Sequence, residues 1–168
     1  RQLESADFVD SVMRAVQVHS LAGNLLELEI TKTLLMRDFE ANAIKLGRLS
    51  AAGIRLAIDD FGTGYSSFKY LSRFPIHTLK IDQSFVQELD REENMSIVNA
   101  MIAMGRGMNL NVVAEGVETE SQRARLQQMQ CHEVQGYYYS PPLSCHEATA
   151  LLGQHARGFD HAEHLAVG

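Results

Sequence analysis

The sequence predicts an α/β fold, a parallel sheet with helices packed outside it. Three observations carry this. Strand-like and helix-like apolar patterns take turns along the chain. Five successive strand-like segments end in polar or charged groups: Glu29, Asp59 with Asp60, Lys80 with Asp82, Glu115 with Glu118, and Gln135. Glu29, Asp59, Lys80, Glu115 and Gln135 are separated by 30, 21, 35 and 20 residues, which are βα repeat lengths. Charges at the carboxyl ends of parallel strands are where α/β barrels and doubly wound sheets place their chemistry. At roughly 26 residues per unit, 168 residues hold about six units, whereas a closed eight-unit barrel needs about 250 residues. The chain is therefore expected to be about two βα units short of a barrel.

The elements follow in order. Residues 6–19 carry Phe8, Val9, Val12, Met13 and Val16 at helical spacing after Ser5, a candidate N-cap. LLELEI at 25–30 alternates as a strand does. Residues 39–52 are helical and stop at Gly53, a suitable residue just past a helix end. IRLAI at 54–58 is an apolar strand, 66–73 a short helix closed by Pro75, and TLKI at 78–81 a strand. Residues 92–106 place Met95, Val98, Met101 and Ile102 on one helical face, and Met104 and Met108 are read with them as core packing. NVVA at 111–114 is the fourth strand. Thr119 with Gln122 forms a capping-box pattern opening a helix to about Met129. EVQGY at 133–137 is the fifth strand, and Ser144 with Glu147 caps a last helix to about His155. In a strand through Tyr137, Tyr138 and Tyr139, alternate rings face opposite sides, so at least one is expected in the core and the others are free to stack on a base. The reading gives one domain over 1–156 and a mobile tail over 157–168, and the cluster of His155, His161 and His164 near the C-terminus reads as part of a disordered end rather than as a chelating site.

Composition excludes several classes. Hydrophobic residues make up 45% and charged residues 21%, a globular balance with no run approaching the roughly 18 apolar residues of a membrane span. A net charge of −6 argues against a nucleic-acid polymer as partner, because phosphate backbones attract a basic face. Cys131 and Cys145 fit no metal spacing and read as reduced thiols of a cytosolic chain. The chain opens on Arg1 rather than Met, which suggests a domain taken from something longer or a processed product.

The chemistry centres on DDFGTGYSS at 59–67. Taken singly, a strand-end Asp is usually a cap or turn residue, a lone Glu is solvated or paired, and a lone Lys lies on the surface. Two adjacent aspartates before a glycine-rich loop are harder to explain in that way. Carboxylates converging on one mouth need a counter-charge, and hard divalent cations such as Mg²⁺ or Mn²⁺ take such oxygen ligands. Asp59 and Asp60 suit a two-metal site, where paired ions stabilise the attacking and leaving oxygens of a phosphoester displacement. Lys80 suits holding a water or neutralising a phosphate oxygen. The loop is fit to move over a ligand or to offer backbone N–H groups to phosphate.

ELEIT at 27–31, DDFGTGYSS at 59–67, LKIDQSFV at 79–86, VVAEGVET at 112–119 and QGYYYSPPL at 135–143 occur in that order. Together they resemble the EAL-domain family of bacterial phosphodiesterases and receptors for cyclic di-GMP, over about residues 1–152. The resemblance implies a (β/α)8-like barrel and hydrolysis of cyclic di-GMP to linear pGpG with Mg²⁺ or Mn²⁺, two ions in all. It implies that Glu29 is a ligand of the first metal, Asp59 is shared by both, and Asp60 belongs to the second. Lys80 would position the hydrolytic water, Glu115 would act as general base or metal ligand, and Gln135 would order the site through hydrogen bonds. Asp82 and Glu118 match polar positions near the ligand. Thr63 and Tyr65 lie in the loop 61–67 that would couple the metal site to ligand and dimer contacts.

Two departures qualify the expectation. The family's E-A-L motif, the arginine after it and an asparagine-bearing strand belong upstream of Arg1, so residues 1–156 match the C-terminal two-thirds of an EAL domain. That truncation is expected to leave the isolated chain inactive. In addition, Lys32 stands where hydrolysing members carry a glutamate thought to hold the loop, a swing of two charge units. A degenerate cyclic di-GMP-binding module, or a remnant of a signalling protein, is the alternative. A homodimer through 61–74, sensory or GGDEF domains upstream, and a cytoplasmic location complete what the resemblance implies.

Overall fold

The computed structural model describes residues 2–5, 7–62 and 71–158, without the side chains of Lys32, Met36 and 154–158. Its centre is a five-stranded parallel sheet in sequential order: β1 (Glu27–Thr31), β2 (Arg55–Phe61), β3 (Thr78–Ile81), β4 (Asn111–Glu115) and β5 (Glu133–Gln135). The helices are α1 (Phe8–Val18), α2 (Lys32–Arg37), α3 (Phe39–Ala51), α4 (Gln83–Gln87), α5 (Glu92–Gly107), α6 (Glu120–Gln128) and α7 (Cys145–Gly158). Parallel strands that each pair with the next in sequence, with helices between β1 and β2, β3 and β4, and β4 and β5, are the wall of a (β/α) barrel, here a partial one. Among the described strands β1 and β5 form the two edges.

The strand register explains the alternation in the sequence. Residues paired across a ladder point to the same face, and that face recurs every second residue. One face carries Leu28, Ile30, Leu56, Ile58, Leu79, Ile81, Val112, Ala114 and Val134. Leu56, Ile58, Leu79, Ile81, Val112 and Ala114 are wholly buried there, beneath the helices. The opposite face carries Glu29, Asp59, Lys80, Glu115 and Gln135. Towards the amino ends of the strands the same polar face is tied down by its own network. The Arg55 guanidinium donates to Glu27 at 3.1 Å and to Thr78 at 3.2 Å, the Thr78 hydroxyl donates to Glu27 at 2.7 Å, and the Asn111 amide donates to Glu133 at 2.7 Å.

Helix ends agree with the sequence at three places and differ at two. Gly53 has φ +82 just beyond α3, Thr119 and Gln122 make the full capping box of α6, and Ser144 exchanges hydrogen bonds with Glu147 ahead of α7. The N-cap of α1 is Asp7 rather than Ser5. The short helices α2 and α4 had no counterpart in the sequence reading, because five or six residues are too few to show a helical period. Residues 66–70 of the expected short helix, and 159–168 of the expected tail with His161 and His164, lie outside the described residues. The backbone of α7 continues to Gly158, two residues into that tail segment. Among the described residues no helix is long and apolar enough to cross a membrane. Cys131 is partly buried and burial pushes its thiol up to about 11, so it is not reactive at neutral pH.

Candidate functional site

Lys80 is the hub of the polar face. It is central on β3 and only 5% exposed. Its ammonium lies 2.5 Å from Glu29 Oε1, 2.7 Å from Glu115 Oε1 and 3.8 Å from Asp59 Oδ1. Burial opposes the charged ammonium, but the hydrogen bonds to Glu115 and Glu29 outweigh it and hold Lys80 above the ordinary lysine value. Burial pushes the Glu115 carboxyl up against the pull of Lys80, as expected for a carboxylate that shares one ammonium with two others.

A bulge in β2 places both aspartates. Between Ile58, paired with Leu79, and Phe61, paired with Ile81, β2 spends one residue more than β3. In a regular strand Asp59 and Asp60 would face opposite sides. The extra residue, with Asp60 at φ +55, instead lets both line one cavity. The Asp60 N–H donates to Asp59 Oδ1 at 3.0 Å, which fixes the Asp59 carboxylate from its own backbone. Gly62 follows at φ +105.

That cavity is about 400 Å³ and opens at the carboxyl ends of the strands, lined by Asp59, Asp60, Asp82, Gln83, Glu115, Gly116, Glu118, Gln135, Gly136 and Tyr137. Asp82 caps α4, accepting from the Ser84 N–H at 3.0 Å and from the Ser84 hydroxyl. Glu118 is held through its backbone N–H, which donates to Gln122 Oε1 at 2.8 Å. The loops after β4 and β5 are locked together: Val117 N–H donates to Gln135 O and Tyr138 N–H donates to Val117 O. A Cβ at Gly136 would lie 2.2 Å from Val117 O, so only glycine allows this approach.

The structure thus gathers Asp59, Asp60, Asp82, Glu115, Glu118 and Gln135 around one cavity, with Glu29 and Lys80 beside it on the same sheet face. Thr63, Tyr65 and most of the 61–74 segment lie outside the described residues. Lys32 is the first residue of α2, directly after β1, and its side chain is also outside them. The tyrosines require a correction. β5 ends at Gln135, Gly136 turns the chain, and Tyr137, Tyr138 and Tyr139 sit in that turn at 64%, 39% and 56% exposure, none in the core. Tyr138 instead donates to Glu120, which Arg123 also grips. Gln83 and Gly116 were missed. The signal for Gln83 was its place directly after Asp82 in LKIDQSFV.

As the side chains stand, no group of three or more His, Cys, Asp or Glu among the described residues is gathered to hold a metal ion. The Lys80 ammonium lies among Glu29, Asp59 and Glu115 and compensates their charge. The acidic donors, Asp59, Asp60 and Glu115 on the cavity wall with Glu29 beside it, are of the kind an oxygen-seeking divalent cation takes.

A family model described as EAL domain matches residues 1–142. The bifunctional diguanylate cyclase/cyclic di-GMP phosphodiesterase MucR of Pseudomonas aeruginosa is 45% identical over 152 residues, which is 90% of this chain and 22% of MucR. The chain therefore spans about a fifth of that relative's length. Among solved structures, the PaMucR phosphodiesterase in complex with c-di-GMP superimposes with a TM-score of 0.84 at 44% identity, over 88% of this chain and 60% of that one. Klebsiella pneumoniae BlrP1, solved as a manganese and c-di-GMP complex, matches with a TM-score of 0.77 at 31% identity, over 84% of this chain and 36% of that one. The polar face, the bulged aspartate pair and the lysine hub are those of a partial (β/α) barrel, and the chain belongs to the EAL domain family.

Proposed function

We propose that this chain carries most of the active site of a metal-dependent phosphodiesterase that hydrolyses cyclic di-GMP to linear pGpG. The observation that carries the reading is the convergence of Glu29, Asp59 and Glu115 on Lys80, beside a cavity that also takes in Asp60 and Gln135. Relatives named as cyclic di-GMP phosphodiesterases, at 45% and 46% identity, support the substrate. The manganese and calcium complexes of BlrP1 support a divalent ion.

In this reading Glu29, Asp59, Asp60 and Glu115 hold the metal, Mg²⁺ or Mn²⁺, as two ions. Bound there, the ions supply positive charge for the attacking and leaving oxygens of the phosphodiester. The chain's own groups do the rest. Lys80, kept protonated by its carboxylates, donates to the attacking water and holds it in line. Glu115, on the cavity wall, takes the water's proton where it is not itself bound to a metal. Gln135 orients the floor of the cavity. Water adds across one P–O bond, leaving a 5′-phosphate and a free 3′-hydroxyl.

Residues 1–156 are proposed as the C-terminal two-thirds of the EAL domain, with 157–168 as a tail. The same reading proposes a cytoplasmic protein with sensory or GGDEF domains upstream and a homodimer through 61–74. The test is incubation of the full-length protein with cyclic di-GMP and Mn²⁺, with and without EDTA, followed by chromatography. The expected result is pGpG only in the metal-containing sample. Binding without turnover would instead assign a receptor, the reading favoured if Lys32 disables the loop.

A further inference from the structure

We infer that Gln83 is a specificity-determining residue that contacts a nucleobase of the bound nucleotide. The inference rests on the phosphodiesterase reading and assigns a role inside the same cavity.

Gln83 opens α4 directly after Asp82 and lines the cavity. It is exposed, and its amide has no hydrogen-bond partner among the described residues. A primary amide carries two N–H donors and a carbonyl acceptor, and here all are free to meet a ligand. The stem is held in place. A Cβ at Gly116 would lie 2.5 Å from Gln83 Cβ and 3.5 Å from its Oε1, so the loop after β4 packs directly against the side chain. Gly116 makes that approach at φ +73, where a side chain would be both strained and in collision.

The chemistry of the remaining wall says which part of the ligand Gln83 meets. Asp59, Asp60, Asp82, Glu115 and Glu118 make the lining negative, and among the described residues no cationic side chain lines the cavity. A phosphodiester is held against such a lining only through cations. The neutral amide offers nothing to a phosphate that the metals do not offer better. It matches a purine edge, where its carbonyl accepts from a ring N–H while its N–H₂ donates to the adjacent exocyclic oxygen.

The test compares Gln83→Met, which keeps length and packing but removes the amide, with wild-type full-length protein on two substrates. One is cyclic di-GMP. The other is bis(p-nitrophenyl) phosphate, a phosphodiester with no base. The expected result is a kcat/KM for cyclic di-GMP lower by about five- to tenfold and an unchanged rate on bis(p-nitrophenyl) phosphate. An unchanged kcat/KM for cyclic di-GMP overturns the inference and leaves the phosphodiesterase reading standing. An equal loss on both substrates overturns it as well, since it assigns Gln83 to the fold or to the phosphate side. Wild-type protein that turns over neither substrate refutes the phosphodiesterase reading, and this inference with it.

Discussion

The Lys80 ammonium lies 2.7 Å from the Glu115 carboxylate, buried on the polar face of the sheet and shared with Glu29 and Asp59. Removing it leaves three carboxylates facing one another with no counter-charge. Lys80→Met is expected to lower the hydrolysis rate by roughly 100- to 1,000-fold, the scale of losing one positioned donor. It is also expected to destabilise the metal-free protein by about 1–3 kcal/mol, measured by urea denaturation, because unpaired charge remains partly buried. Added Mn²⁺ should recover part of that stability.

The same lysine sets an alkaline limit. Its proton is held more tightly in the folded chain than in the unfolded one. Its contribution is therefore complete below the unfolded value, about 10.4, and fades as pH rises beyond it. The difference in urea midpoint between wild type and Lys80→Met should be the same at about pH 7 and pH 9, then shrink above pH 10.4.

Asp60 separates chemistry from backbone. Its φ of +55 is a conformation that Asn tolerates and that a β-branched residue resists. Asp60→Asn should abolish hydrolysis with little change in stability. Asp60→Val should add a loss of about 1–2 kcal/mol from left-handed strain. Equal loss of stability in both would place the aspartate's role in the fold.

Gly136 and Gly153 form a matched pair. A methyl at Gly136 meets the Val117 backbone at 2.2 Å, whereas a methyl at Gly153 on α7 meets nothing within 4 Å. Gly136→Ala is expected to cost about 2–4 kcal/mol and to impair the site. Gly153→Ala should raise helix stability by about 0.5–1 kcal/mol, as removing a mid-helix glycine does. Thermal melts of both variants decide the contrast.

Much of this was legible in the sequence because one physical constraint wrote it twice. A strand with a helix-covered face and a polar face must alternate, so LLELEI, TLKI and NVVA read as strands, and their polar members fall on one side. Asp59 and Asp60 were marked by adjacency and by the glycines after them. The bulge that turns both to one cavity was not legible, since Asp60 at φ +55 depends on tertiary pairing between β2 and β3. Gln83 escaped for a related reason: α4 is five residues long, and its contact with Gly116 joins positions 33 apart in the chain. The tyrosines misled because EVQGYYY alternates like a strand while Gly136, pressed against Val117, ends it.

The most direct measurement is calorimetric titration of Mn²⁺ into the full-length protein and its Asp59→Asn variant. The account predicts Mn²⁺ binding in the wild type that is lost in a variant with an unchanged melting temperature. Absence of binding in the wild type, or equal binding in both proteins, would contradict a metal site built on the Asp59 carboxylate.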